Sequence, residues 1–142
     1  GMCQRIDALK FARYRTEIMK QVVVTGGSGF LGSHTADELT DRGYFVTIFD
    51  SVESPWIRDS QRMVVGDILD RSALLTAFDG ASIVYHFAGV TDLDDASKRP
   101  LDTIRMNVLG TSNVIDVVQE LGIQSFIYAS TMYVLQPVWV FL

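Results

Sequence analysis

The stretch TGGSGFLGS, Thr25 to Ser33, spaces Gly26, Gly29 and Gly32 three residues apart. Gly26 suits a tight turn, Gly29 lets backbone N–H groups approach a pyrophosphate, and Gly32 lets a helix pack closely on the preceding strand. Phe30 and Leu31 lie between the last two glycines and are counted with them as binding positions. Asp50 follows 18 residues after Gly32. A carboxylate there accepts both hydroxyls of an adenosine ribose and repels a 2′-phosphate, which favours NAD over NADP. Two alternatives stay open: Asp50 as a strand-end turn residue, and Arg58 as a cation for a 2′-phosphate. Further along, Ser130 and Thr131 place two hydroxyls at the end of an apolar run.

These residues need a frame. Five apolar runs, QVVVT (21–25), FVTIF (45–49), RMVVG (62–66), SIVYHF (82–87) and SFIYAS (125–130), are continuous rather than alternating. Strands buried on both faces of a parallel sheet read this way. Helical spacing fills the gaps. Phe30 to Arg42 sets Leu31, Thr35, Ala36 and Leu39 on one side and stops at Gly43. Ser72 to Phe78 has Ser72 as its cap and Leu74, Leu75 and Phe78 as its face. Leu101 to Leu121 repeats Ile104, Val108, Ile115, Val118 and Leu121. The alternation predicts an α/β fold, a Rossmann-like doubly wound parallel sheet of strand order 3-2-1-4-5, ending after the fifth strand.

At 142 residues and 48% hydrophobic, the chain has the size and composition of one globular domain. A net charge of -5 gives no basic footprint for a phosphate backbone, so no nucleic acid partner is expected. Cys3 is the only cysteine, which excludes an internal disulfide framework and a cysteine zinc cluster, and no metal site is expected. With no run of 18 apolar residues, no membrane association is expected, and the location reads as cytoplasmic. Residues 1–18 read as an N-terminal extension, 19–134 as the dinucleotide-binding domain, and 135–142 as an apolar tail.

The glycine turn resembles the TGxxGxxG turn of the extended short-chain dehydrogenase/reductase superfamily, the NAD-dependent epimerase/dehydratase family. Other landmarks follow in order over Lys20 to Val134. Val65-Gly66-Asp67-Ile68 is similar to the family's third-strand GD, and the resemblance implies that Asp67, with Ile68 beside it, meets the adenine amino group. Asp67 capping a following turn is the alternative. Ile83 to Val90 resembles the fourth-strand V-x-H-x-A-A/G stretch, so Ala88 and Gly89 would form a floor for the nicotinamide ribose and pyrophosphate. His86, inside that apolar strand, reads as a satisfied core histidine. Asn107-Val108-x-Gly110-Thr111 resembles N-V-x-G-T, whose Asn helps fix the helix beside the active site.

The same resemblance implies a proton-transfer centre of a fifth-strand Ser or Thr with a Tyr and a Lys four residues after it. In that arrangement the Lys lowers the Tyr pKa so that the phenolate takes a substrate proton. Thr131, then Ser130, matches the hydroxyl position. Tyr14, Tyr44, Tyr85, Tyr128 and Tyr133 are followed four residues later by Ile18, Ile48, Gly89, Met132 and Pro137, and the lysines are Lys10, Lys20 and Lys98. The pair is therefore missing, as is the family's C-terminal substrate domain. Whether the chain is an enzyme stays open. The first expectation is the NAD(P)-binding domain of a sugar-nucleotide epimerase/dehydratase-like protein in a truncated, catalytically incompetent form, whose full-length version would take a nucleotide sugar. The alternative is a non-catalytic dinucleotide sensor or interaction module. An apolar C-terminal edge left uncovered would make the chain a homo-oligomer.

Overall fold

The computed structural model describes residues 19–130, the side chain of Leu93 excepted. The expected extension 1–18, Thr131, the boundary at Val134 and the tail 135–142 lie outside the described residues. Five parallel strands, β1 (Gln21–Thr25), β2 (Phe45–Asp50), β3 (Arg62–Val65), β4 (Ile83–His86) and β5 (Ser125–Tyr128), form one sheet in the order β3-β2-β1-β4-β5. That is the expected order. The connections include α1 (Phe30–Asp41), α2 (Arg71–Phe78), α3 (Leu93–Lys98), α4 (Pro100–Ile104), a π-helical turn (Arg105–Gly110) and α5 (Thr111–Glu120).

Alternate residues of the central strands enter two separate cores. Val22, Val24, Val46 and Ile48 meet Ala36 and Leu39 of α1 on one face. On the other, Val23, Phe49 and Val84 meet Leu74, Ala77 and Phe78 of α2 and Val114, Val117 and Val118 of α5. Each such side chain, removed fully from water, contributes about 1.5–3 kcal/mol before conformational entropy is charged against it. This two-sided burial explains the unbroken apolar runs of β1 and β2. It does not extend to the sheet edges, where the expectation of burial on both faces fails: Val65 of β3, and Ile127 and Tyr128 of β5, are exposed, and among the described residues each edge strand has a neighbour on one side only.

Three helical details also differ from the sequence reading. In α1, Leu31 is exposed rather than part of the buried face, because the first turn points past the end of the sheet. In α2 the cap is Asp70, not Ser72: the Asp70 carboxylate accepts the N–H groups of Ser72 and Ala73 at 3.0 and 3.1 Å. Asp70 holds the extended backbone that a cap requires, whereas Ser72 lies inside the first turn. In the long helical run Val118 faces the core as expected, but Ile104, Val108, Ile115 and Leu121 are exposed, and Gly110, Val114 and Val117 are the other buried positions. The π turn separates Ile104 and Val108 in phase from the residues after it, because its winding is wider than that of an α-helix.

Candidate functional site

The C-terminal ends of β1, β2 and β4 open into a groove of about 530 Å³. In a doubly wound sheet the crevice at this end, where strand order reverses between β1 and β4, is where ligands bind. Gly26, Gly29, Phe30, Leu31 and Gly32 line it from the first turn, Asp50 from β2, Asp67 and Ile68 from the loop after β3, and Ala88 and Gly89 from the loop after β4. A second cavity of about 740 Å³ adjoins it, sharing Ala88, Gly89 and Ala129 and adding His86, Asn107, Thr111 and Ser130. All the expected binding positions therefore border one or other of two connected spaces. Thr131 lies outside the described residues.

The turn itself is built by backbone contact. Gly26 has φ +68°, a conformation that side chains other than glycine's rarely adopt, and a Cβ there would lie 2.6 Å from the Ala88 nitrogen. At Gly32 a Cβ would lie 2.7 Å from Gly27 Cα and 2.8 Å from the Gly26 carbonyl carbon, so the helix can start this close to the strand end only without a side chain. Gly29 is the N-cap residue and no side chain caps the helix. The N–H groups of the first turn have no carbonyl before them to bond, and they carry the positive end of the helix dipole to the groove. This arrangement suits an anion, and a diphosphate in particular.

Asp50 is held in place by bonds that sequence spacing does not reveal. Its Oδ2 accepts the Ser28 N–H at 3.0 Å, and its Oδ1 accepts the Val52 N–H at 3.3 Å and the Ser51 hydroxyl at 3.4 Å. The Ser28 hydroxyl donates to the Val52 carbonyl at 2.8 Å, which closes the link between the glycine turn and the end of β2. A carboxylate offers about four lone-pair sites, so Oδ2 retains acceptor capacity toward the groove. Arg58 is engaged elsewhere, its guanidinium 2.8 Å from Asp41 and 3.8 Å from Asp37, both on α1. The Arg58 hydrogen bond holds the Asp41 carboxyl below its ordinary pKa.

Asp67 accepts the Leu69 N–H at 2.9 Å, so the turn-capping alternative is realised in the same residue that lines the groove. Asn113 of α5, not singled out from the sequence, donates to the carbonyls of Ile68 and Leu69 at 3.2 and 3.3 Å and steadies that loop.

His86 is 6% exposed and fully bonded, with Nδ1 2.7 Å from the Thr25 hydroxyl and Nε2 2.9 Å from the Thr111 hydroxyl. It ties β1, β4 and α5 together, as expected of a core histidine. Burial lowers its pKa to about 4. The folded chain thus holds the neutral ring, whereas the unfolded chain takes up a proton near pH 6.5. Stability is therefore fully present above about pH 6.5 and declines as pH falls toward 4, by roughly 3 kcal/mol from this group. Urea unfolding at pH 7 and pH 4.5 is expected to show the decline, and a foldable His86→Asn variant is expected to show a smaller one. Equal pH dependence in the two chains would contradict the assignment.

Sheet order, crossover helices and the glycine-lined groove define a Rossmann-like fold. The chain belongs to the NAD dependent epimerase/dehydratase family, which it matches over residues 22–138. Among curated relatives, it is 35% identical over 116 residues to the human sterol-4-alpha-carboxylate 3-dehydrogenase, decarboxylating, covering 82% of this chain and 30% of that protein. It is 33% identical over 122 residues to the UDP-glucose 4-epimerase of Erwinia amylovora, covering 78% of this chain and 36% of that protein. Among solved structures, the Brucella ovis UDP-glucose 4-epimerase in complex with NAD superposes with a TM-score of 0.75 at 31% identity, over 80% of this chain and 36% of that one. The Thermotoga maritima UDP-glucose 4-epimerase with UDP-glucose gives 0.75 at 25% identity, over 78% of this chain and 38% of that one. The chain spans about a third of the length of these relatives.

Proposed function

We propose that this chain binds NAD in the groove between the glycine turn and the β4 loop, as the cofactor domain of a protein acting on a nucleotide sugar. The observation that carries this reading is the coupling of Asp50 to Ser28. One short network sets the uncapped helix end for the diphosphate and a carboxylate for the adenosine ribose. The NAD complex of the Brucella ovis relative supports the cofactor, and the UDP-glucose complex of the Thermotoga maritima relative supports the substrate class. NAD is preferred to NADP, because Asp50 would repel a 2′-phosphate and Arg58, the cation that would offset it, is paired with α1 carboxylates.

Bound NAD would supply a hydride acceptor. Ala88 and Gly89 would lie under the nicotinamide half, and Ser130 with Thr131 would orient a substrate hydroxyl. No Tyr-x-x-x-Lys pair, which would move the proton, is among these 142 residues, and the reading made here for them is dinucleotide binding. Replacement Asp50→Ala is expected to weaken NAD about ten- to hundredfold, the loss of hydrogen bonds to a charged group, and to weaken NADP much less. Titration calorimetry with both nucleotides reads the two affinities. Equal weakening of both would contradict ribose recognition by Asp50.

A further inference from the structure

Between β3 and α2 the peptide that joins Ile68 to Leu69 is held from both sides. Its N–H, that of Leu69, donates to Asp67 Oδ1 at 2.9 Å, and its carbonyl, that of Ile68, accepts Asn113 Nδ2 at 3.2 Å. The same Nδ2 reaches the Leu69 carbonyl at 3.3 Å. Both carbonyls precede the cap of α2, and the N–H groups of Ser72 and Ala73 are taken by the Asp70 carboxylate. A partly buried peptide needs its donor and its acceptor matched, and Asn113, 45 residues beyond Ile68, supplies the missing donor. One peptide plane therefore stands between the Asn113 amide and the Asp67 carboxylate, and the two hydrogen bonds polarise each other through it.

Anchors on either side of that peptide separate its aim from the folding of the loop. Before it, buried Ile68 packs so closely on Gly110 that a Cβ there would lie 2.7 Å from Ile68 Cγ1. After it, Arg71 pairs with Asp116 at 2.8 Å and with Glu120, both on α5. Gly110, Asn113, Asp116 and Glu120 thus follow one another along one side of the helical run and meet the segment Ile68 to Arg71 in order. Loss of the Asn113 amide leaves both anchors in place, but it frees the peptide to turn, and the Asp67 carboxylate that lines the groove turns with it. We infer that Asn113 is a positioning residue for Asp67, aiming its carboxylate at the exocyclic amine of an adenine base in the groove and so setting the discrimination between adenine and a base that carries a carbonyl at that position. The ligand half of this inference rests on the dinucleotide reading above. The Asn113–Asp67 coupling does not.

The probes are NAD and its hypoxanthine analogue, in which a carbonyl oxygen replaces the exocyclic amine and offers a carboxylate no proton. Calorimetry on the full chain is expected to show NAD bound about tenfold more tightly than the analogue, and Asn113→Ala is expected to cut that preference below about threefold by weakening NAD. Asp67→Ala is expected to do the same, and the double variant to cut the preference no further. If Asn113→Ala weakens both nucleotides equally and keeps the preference, the positioning role is overturned and a merely structural one remains. A parent chain that binds NAD and the analogue equally would overturn the inference while the dinucleotide reading stands. If the parent binds neither, that reading and the ligand half fall together, and thermal unfolding decides the coupling. There the loss of melting temperature in the double variant is expected to be smaller than the sum of the two single losses, and additive losses would overturn the coupling. If Asn113→Ala does not fold, Asn113→Asp, which keeps the size of the side chain and loses the donor, carries the same comparisons.

Discussion

Replacing Gly32 by alanine is expected to abolish NAD binding and to destabilise the chain by about 3 kcal/mol or more. The new methyl would meet backbone at Gly26 and Gly27, none of which can turn aside as a side chain can. Relief would require α1 to withdraw from the end of β1. That movement pulls Ala36 and Leu39 away from Val22, Val24 and Ile48, and it carries the uncapped N–H groups away from the diphosphate position. Urea unfolding reads the first effect and calorimetry the second. A Gly32→Ala chain with parental stability and parental NAD affinity would show that helix and strand do not meet as closely as described.

The second large effect is expected at Phe49. Its ring is fully buried, stands edge-on to Phe78 at 6.2 Å between centroids, and also borders the groove. Phe49→Ala removes the ring from the core shared by β2 and α2, and substitutions of this kind cost about 3–5 kcal/mol. The Asp50 carboxylate adjoins it in sequence, so NAD affinity is expected to fall along with the denaturation midpoint. Trp56, which is 65% exposed, provides the contrast, and Trp56→Ala is expected to shift the midpoint by less than about 0.5 kcal/mol. Comparable shifts for the two variants would contradict the placement of Phe49 in the core.

The central strands and the glycine turn were legible because one local signal determines each. Val22, Val23 and Val24 are all apolar because both faces of β1 are covered, and Gly26 and Gly32 are glycine because backbone approaches them. Features depending on distant partners were not legible. The Thr25–His86–Thr111 chain joins residues 61 and 25 positions apart, and no spacing rule links them. Ser28 was not singled out from the sequence, yet it anchors Asp50 through its N–H and Val52 through its hydroxyl. The inward face of the long helical run was read correctly at Val118, and misread at Ile104 and Val108 because a uniform α-helical period was applied across a turn that is not α-helical. Asp70 was passed over as a cap because Ser72, two residues on, is an equally good cap by residue type, and only backbone conformation separates them.

The central claim, that the glycine turn and Asp50 act together as an NAD site, is tested most directly by calorimetric titration of the unmodified chain with NAD and, in parallel, with NADP. The predicted result is saturable heat with NAD at or below millimolar concentration, with NADP at least about tenfold weaker. The absence of both heat and thermal protection with NAD, or equal affinity for NADP, would contradict it.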